Sequence, residues 1–520
     1  MSKETTIPGN SLPLPADPRR GSTIATRRSL LAILLLGLLL GFAFQGTRGL
    51  WSPDEGRYVG GALQMLDTGD WLAPAFSAGE LNFSKPPLTY WAIAASFEIF
   101  GRNTWASRVP YALAFVATLL LLYGMGRVLV AERPWLPALI CACMPFPFFA
   151  ANIVSTDVFL CVFEALAMLG FLRATFGTDP AQGHRWIVLM WLGFGLAFLT
   201  KGPPGLIPLL AILPFVQRHD GWQGLRRLFA PAGVIVFLVV GCTWYVLVML
   251  RYPWLPHYFL HREVYDRMFT AVQRRHPGPF GWFVVYAPTL VLGSLPWWPM
   301  LLGPKARAAL AADWREARSR HYGPELFLLL WLTLPLLVFC LVQSRLPLYV
   351  LPLFLPLSLL LALALRRRIT LRGTTQRLAV GLWLVALLAV KAGAGWMAHP
   401  VTDNLAAAQQ LAAKSEGNAY SSIVFVENTG KDYELQEQTP WGLRLYLDRP
   451  VYGVAWHEAQ AASTLCNVAR TNSPALLVLD PAIQPEAVES TLAGCGLERS
   501  VRLGDWRRNV LILARGRTTP

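Results

Sequence analysis

Long apolar stretches separated by short polar connections run through residues 29–397. Windows near the length a helix needs to cross hydrocarbon, about 17 to 25 residues, fall at 29–45, 109–130, 135–153, 158–174, 186–199, 205–215, 228–250, 282–302, 326–342, 347–365 and 378–397. This pattern predicts an α-helical polytopic membrane protein of about 11 transmembrane helices, up to 13. Pro203, Pro204 and Pro208 interrupt the sixth stretch. Between the first two spans, residues 46–108 are too long for a bare link. There Val59, Ala62, Leu63, Met65 and Leu66 recur at helical spacing, and a second helix is expected from Pro87 through Tyr90, Trp91, Ile93 and Phe97. Both read as helices lying on the membrane plane. Beyond residue 397 the apolar runs shorten to strand length at 421–426, 475–479 and 509–514, with helical patterns at 404–413 and 485–492. Residues 398–520 are therefore expected to form a small α/β domain.

Composition agrees with the pattern. The chain has 520 residues, 54% hydrophobic, with 20 Trp and a mean hydropathy of +0.41, which excludes an ordinary soluble protein. The formal charge of +15 is mostly topological and does not call for a nucleic-acid partner. Arg19, Arg20, Arg27 and Arg28 precede the first span, and alternate connections carry Arg127 and Arg133, Arg173 and Arg185, Arg218, Arg226 and Arg227, Lys305 to Arg320, and Arg366 to Arg377. Short cytoplasmic loops retain basic residues. Residues 1–28 are thus expected to be a cytoplasmic tail, and 398–520 to lie outside. No small-x-small cleavage pattern follows the first run, which reads as an uncleaved anchor.

On this topology the chemistry-bearing residues share the outer face. Asp54, Glu55 and Arg57 stand together in 51–58, and Lys85 follows in the same loop. A carboxylate there suits a general base or a cation, and a guanidinium suits a phosphate. Ser52, Pro53 and Glu55 also read as a helix start with a capping box, which makes no use of Asp54. Lys85 is held extended by Pro86 and Pro87, although an interfacial Lys also snorkels without function. Asp157 follows the third span, Lys201 the fifth, Arg267 the seventh and Arg345 the ninth. Asp157 reads equally as a helix cap beside Ser155 and Thr156. Glu164 falls inside a span and has no partner that the sequence names. Cys141, Cys143, Cys161, Cys242 and Cys340 sit in spans as small core residues, whereas Cys466 and Cys495 are the two cysteines of the outer domain and are candidates for a disulfide.

The ordered set of segments at 52–58, 68–72, 84–88, 155–157, 200–203 and 344–352 resembles the lipid A aminoarabinose transferases. These are grouped with the protein O-mannosyltransferases among the polyprenyl-phosphate-dependent C-type (GT-C) glycosyltransferases. The resemblance covers about residues 29–365. It implies transfer of a sugar from a polyprenyl (undecaprenyl) phosphate carrier to an acceptor outside the inner membrane of a bacterium, lipid A or another envelope glycolipid. It further implies that Asp54 is the catalytic carboxylate, that Arg57 and Lys85 neutralise the carrier phosphate, that Tyr58 and Tyr349 shape the sugar site, and that Arg267 is the substrate-binding basic residue of the family's later outer loop. Glu55, Asp157, Lys201 and Arg345 are further candidates for binding substrate. Related enzymes carry Glu and His where this chain has Ser84 and Val264, so a divalent cation is not expected from ligands of that type; His257, His261 and His276 show no ligand spacing.

The sequence therefore predicts an inverting membrane glycosyltransferase with a periplasmic active site. A protein O-mannosyltransferase-like enzyme is the alternative, and a lipid or sugar transporter the alternative from another class. A transporter should carry inverted repeats and binding groups near mid-membrane. Neither is evident in the sequence.

Overall fold

The computed structural model describes residues 23–77, 80–266, 275–276, 278–304, 323–397, 402–497 and 499–515, with 307, 308, 311, 312 and 315 between them. Among these, seven helices are long and apolar enough to cross a membrane by length and composition. After α1 (Thr23–Phe42) and two helices of the first loop, α2 (Asp54–Thr68) and α3 (Leu88–Phe100), they begin with α4 (Thr104–Leu129), α5 (Thr156–Phe176) and α6 (Gly183–Lys201). Pro231–Arg251, Pro324–Leu341, Pro347–Leu365 and Thr374–Trp396 complete the set. Leu238, Val239, Leu382 and Val385 on these later helices are exposed apolar side chains, as a lipid-facing surface requires. Inside the bundle small residues set the spacing: a Cβ on Gly41 of α1 would meet the carbonyl oxygen of Ala112 on α4 at 3.2 Å.

The first expected span is the unbroken helix α1; the other three outside this set are broken, and proline accounts for the breaks. Leu136–Cys143 and Pro145–Ala150 are separate helices divided at the extended Met144 before Pro145, as the residue before proline requires. The expected sixth span is a 3₁₀ turn, Pro203–Leu206, followed by the short helix Leu209–His219. The expected eighth is the helix Gly281–Gly293 and a 3₁₀ turn.

In the long loop after α1, α3 starts directly after Pro87, and a short antiparallel pair, β1 (Ala75–Ser77) and β2 (Glu80–Leu81), stands before it. Helix α2 is buried from Tyr58 to Met65, because it is enclosed between the bundle and the carboxyl-terminal domain. Gly56 and Gly60 make that approach possible: a Cβ on Gly56 would meet the Gly442 nitrogen at 2.7 Å, and one on Gly60 would meet Trp441 Cβ at 3.2 Å. Trp441 also stacks on Phe76, with ring centroids 4.9 Å apart.

The carboxyl-terminal domain is a five-stranded sheet with helices. Strands β3 (Ser422–Glu427), β4 (Val451–Ala455), β5 (Ala475–Leu479), β6 (Arg499–Trp506) and β7 (Asn509–Arg515) are ordered β4-β3-β5-β7-β6, with β3 parallel to both neighbours and β7 antiparallel to β5 and β6. Three strands and the helices Asn404–Lys414 and Pro485–Gly494 fall where the sequence pattern puts them; β4 and β6 are additional. Gly453 interrupts the apolar run in β4. In β6, Arg502 and Asp505 give the mixed charge of a sheet edge. Cys466 and Cys495 are joined in a disulfide, with Cα atoms 5.7 Å apart, inside the usual range. The domain is tied to the start of the first loop by Asn404, whose backbone N–H donates to the Leu50 carbonyl (2.8 Å), and by Asp403, which accepts from the Gly49 N–H (3.0 Å).

Candidate active site

The first turn of α2 organises the site through Glu55, which is 1% exposed. Its carboxylate accepts from Arg48 (2.6 and 2.8 Å), Arg108 (3.0 Å) and the backbone N–H groups of Trp51 (2.7 Å) and Val154 (2.9 Å). Burial alone would raise its pKa, but Arg108, Arg48 and these hydrogen bonds outweigh burial and lower it to about 2. The expected capping box is therefore absent: Ser52 bonds with the Asn404 side chain, and the helix has no side-chain cap. Two buried guanidiniums are stronger partners than one backbone N–H. Glu55 is not among the side chains that line the neighbouring cleft.

With Glu55 turned into the bundle, Asp54, Arg57 and Tyr58 share the other face of α2 at i, i+3 and i+4. Asp54 and Arg57 form an ion pair. Burial disfavours the Arg57 charge, yet Asp54 and, more remotely, Glu437 hold its pKa above the ordinary value. Tyr58 is buried, which keeps its phenol protonated, and its ring lies 5.7 Å from that of Tyr90. Gly69, at φ 70°, ends α2 with its N–H on the Met65 carbonyl (2.9 Å).

These residues open onto a shared cleft. Lys85 enters from the Pro86-Pro87 turn, donates to the Ser84 carbonyl (2.8 Å) and stands 3.9 Å from Glu263. Asp157 is not the helix cap. Ser155 caps α5 by accepting from the Asp157 N–H (3.1 Å), and its hydroxyl donates to the Asp157 carboxylate (2.8 Å). That carboxylate pairs with Lys201 at the end of α6. Lys201 is presented there because Gly202, at φ 72°, and Pro203 stop the helix immediately after it. Its ammonium lies 4.4 Å from the centroid of the Tyr349 ring. Asp54, Arg57, Tyr58, Lys85, Asp157, Lys201 and Tyr349 all line one cleft.

Arg267 lies outside the described residues. Arg345 is 4% exposed and donates to the carbonyls of His276 (3.0 Å), Gly278 (2.9 Å) and Cys340 (3.1 Å), while its own N–H donates to the Arg275 carbonyl (3.0 Å). It fastens the strip that carries Arg275 into the cleft. Arg275, Arg262, Glu263, Gln436 and Glu437 also line the cleft and are absent from the sequence reading. Arg275 follows a second Arg in the loop after the seventh apolar run, and that doublet was the available signal. At the position where related enzymes carry Glu, the Ser84 hydroxyl donates to Asn82 (2.6 Å). Among the described residues no three His, Cys, Asp or Glu side chains gather as cation ligands.

Comparison with known proteins places this cleft in a family. Residues 84–246 match the family described as dolichyl-phosphate-mannose-protein mannosyltransferase. The undecaprenyl phosphate-alpha-4-amino-4-deoxy-L-arabinose arabinosyl transferase of Pseudomonas aeruginosa is 34% identical over 384 residues, covering 70% of this chain and 66% of that protein. The transferase of the same name from Edwardsiella ictaluri is 32% identical over 365 residues, covering 68% of this chain and 63% of that protein. The chain belongs to the ArnT-like family of GT-C membrane glycosyltransferases. The aligned part spans just under two thirds of those relatives' own length. ArnT from Cupriavidus metallidurans bound to undecaprenyl phosphate has the same fold, at a TM-score of 0.72 and 20% identity over 94% of this chain and 98% of that one. Mycobacterial arabinofuranosyltransferase AftD aligns more loosely, at a TM-score of 0.53 and 17% identity over 95% of this chain and 40% of that one. The ArnT-like fold is multi-pass and membrane-embedded.

Proposed function

We propose that this protein transfers a sugar from a polyprenyl phosphate carrier, undecaprenyl phosphate by analogy with its relatives, to lipid A or another envelope glycolipid. The proposed setting is the outer face of the bacterial inner membrane, with the cleft and residues 398–520 in the periplasm. The observation that carries this reading is the meeting of Asp54 with Arg57, Lys85 and Lys201 in one cleft between the bundle and the carboxyl-terminal domain.

The chemistry follows from the charges. As the anomeric carbon–oxygen bond breaks, its electron pair leaves with the phosphate, and nearby guanidinium and ammonium groups stabilise that developing charge. An acceptor hydroxyl forms the new bond to the anomeric carbon from the opposite face and gives its proton to the Asp54 carboxylate. One displacement inverts the anomeric configuration. Arg57 holds the Asp54 carboxylate in place through their ion pair, and Tyr58 and Tyr349 wall the sugar. The products are the glycosylated acceptor and polyprenyl phosphate.

The match of residues 84–246 to the mannosyltransferase description supports a second reading, in which the acceptor is a protein hydroxyl. Mass spectrometry of lipid A, lipopolysaccharide and glycoproteins from a deletion strain separates the two. Loss of a sugar substituent from the lipid fraction is expected. Loss confined to glycoproteins would favour the second reading, and unchanged glycosylation in every fraction would contradict both.

A further inference from the structure

Five cations and four carboxylates are among the side chains lining the cleft, and their pairing is uneven in origin. Asp54–Arg57 lies within one helix and Asp157–Lys201 joins two helices of the bundle. Lys85–Glu263 joins two outer loops. Arg275–Glu437 is different: Glu437 belongs to the carboxyl-terminal domain, on the helix Asp432–Gln438. That helix brings Gln436 and Glu437 over the cleft, and the field of Glu437 reaches Arg57 as well. Arg275 is in turn held to the bundle side by Arg345, through the carbonyls of residues 275, 276 and 278. A rigidly presented guanidinium thus meets a carboxylate on a separate domain, at the mouth of a site whose proposed ligand is an anion.

A carboxylate and a phosphate compete for the same face of a guanidinium. We propose that Glu437 is a placeholder for the carrier phosphate: the phosphate takes Arg275 from Glu437, and the helix Asp432–Gln438 is released from the cleft when the carrier binds. This rests on the reading of the cleft as the carrier site. It makes Glu437 a positioning residue that sets carrier affinity and couples it to the outer domain, while Arg275 becomes a direct phosphate ligand. The covalent chemistry is unchanged by it.

The test is binding of undecaprenyl phosphate to the purified full-length protein in detergent, with amide hydrogen exchange of residues 434–438 followed in parallel. Glu437→Gln removes the competing charge and should tighten binding by about tenfold, within the 5- to 150-fold range usual for coupled sites. Arg275→Ala should weaken binding, and adding Glu437→Gln to it should restore nothing, since the competitor acts through Arg275. In the wild type, residues 434–438 should exchange faster once the carrier is bound; in Glu437→Gln they should exchange equally with and without it. Unchanged or weaker binding by Glu437→Gln, or slower exchange in the bound wild type, would overturn the proposal. Lys85→Ala separates the two levels. If it weakens binding while Glu437→Gln does not tighten it, only the placeholder role falls; if Lys85→Ala and Arg57→Ala both bind as the wild type does, the carrier-site reading falls with it.

Discussion

At the scale of single residues, Asp54 and Glu55 show how neighbours in sequence take opposite tasks. A helix turns about 100° per residue, so one carboxylate faces the cleft and the other faces Arg48 and Arg108. Glu55→Gln should therefore damage folding rather than binding. Breaking a buried ion pair typically costs about 3–5 kcal/mol, measurable as a lower unfolding temperature. A folded variant as stable as the wild type would contradict the hub. Because the Glu55 pKa is lowered, its contribution is present above the ordinary value near 4.5 and is lost as pH falls toward about 2. Glu427 behaves oppositely. Burial, and then Asp480, raise its pKa to about 7, so the folded state holds its proton more tightly and stability falls as pH rises from about 4.5 through 7. Glu427→Gln should flatten that fall, and thermal melts at pH 5 and pH 8 would detect it. An equal pH dependence in both proteins would exclude Glu427 as the cause. The sequence made Asp54, Arg57 and Lys85 legible because each sits in a short polar segment after an apolar run. It misread Glu55, because a capping box and a buried ionic hub share the same local pattern, and it could not find Glu437, whose partner Arg275 is 162 residues away.

At the scale of elements, α2 carries the account, because it is the surface on which bundle and outer domain meet. Its amphipathic spacing was readable, but the partner of its second face was not: glycines 56 and 60 look like weak helix formers in sequence and are contact points in the structure. Gly56→Val should push α2 from Gly442, since a Cβ there meets the backbone nitrogen at 2.7 Å. Overpacking of this kind costs about 1–3 kcal/mol. Limited proteolysis should cut residues 398–520 from the variant faster than from the wild type. Equal rates would show that the close approach does not hold the domain. The spans were legible where apolar runs lacked proline, as in α5 and α6, and fragmented where Pro145, Pro203 and Pro208 intervene, because a hydropathy window counts side chains and ignores a missing backbone donor.

At the scale of the whole molecule, the cleft joins residues from six separate stretches of the chain. The proposed topology, argued from alternating basic connections by the positive-inside rule, puts the cleft and residues 398–520 outside the cytoplasm. Alkaline phosphatase fused after residue 400 should be active; a fusion active only as a cytoplasmic reporter would invert the map. The central claim is narrower and concerns one carboxylate. Asp54→Asn keeps size and shape while removing the proton acceptor, so single-turnover transfer from a polyprenyl phosphate sugar by the purified protein tests it most directly. General-base catalysis is worth about 10²–10⁴-fold. The account predicts a loss of at least about a hundredfold in the transfer rate, with carrier binding largely retained, whereas transfer by Asp54→Asn at the wild-type rate would contradict it.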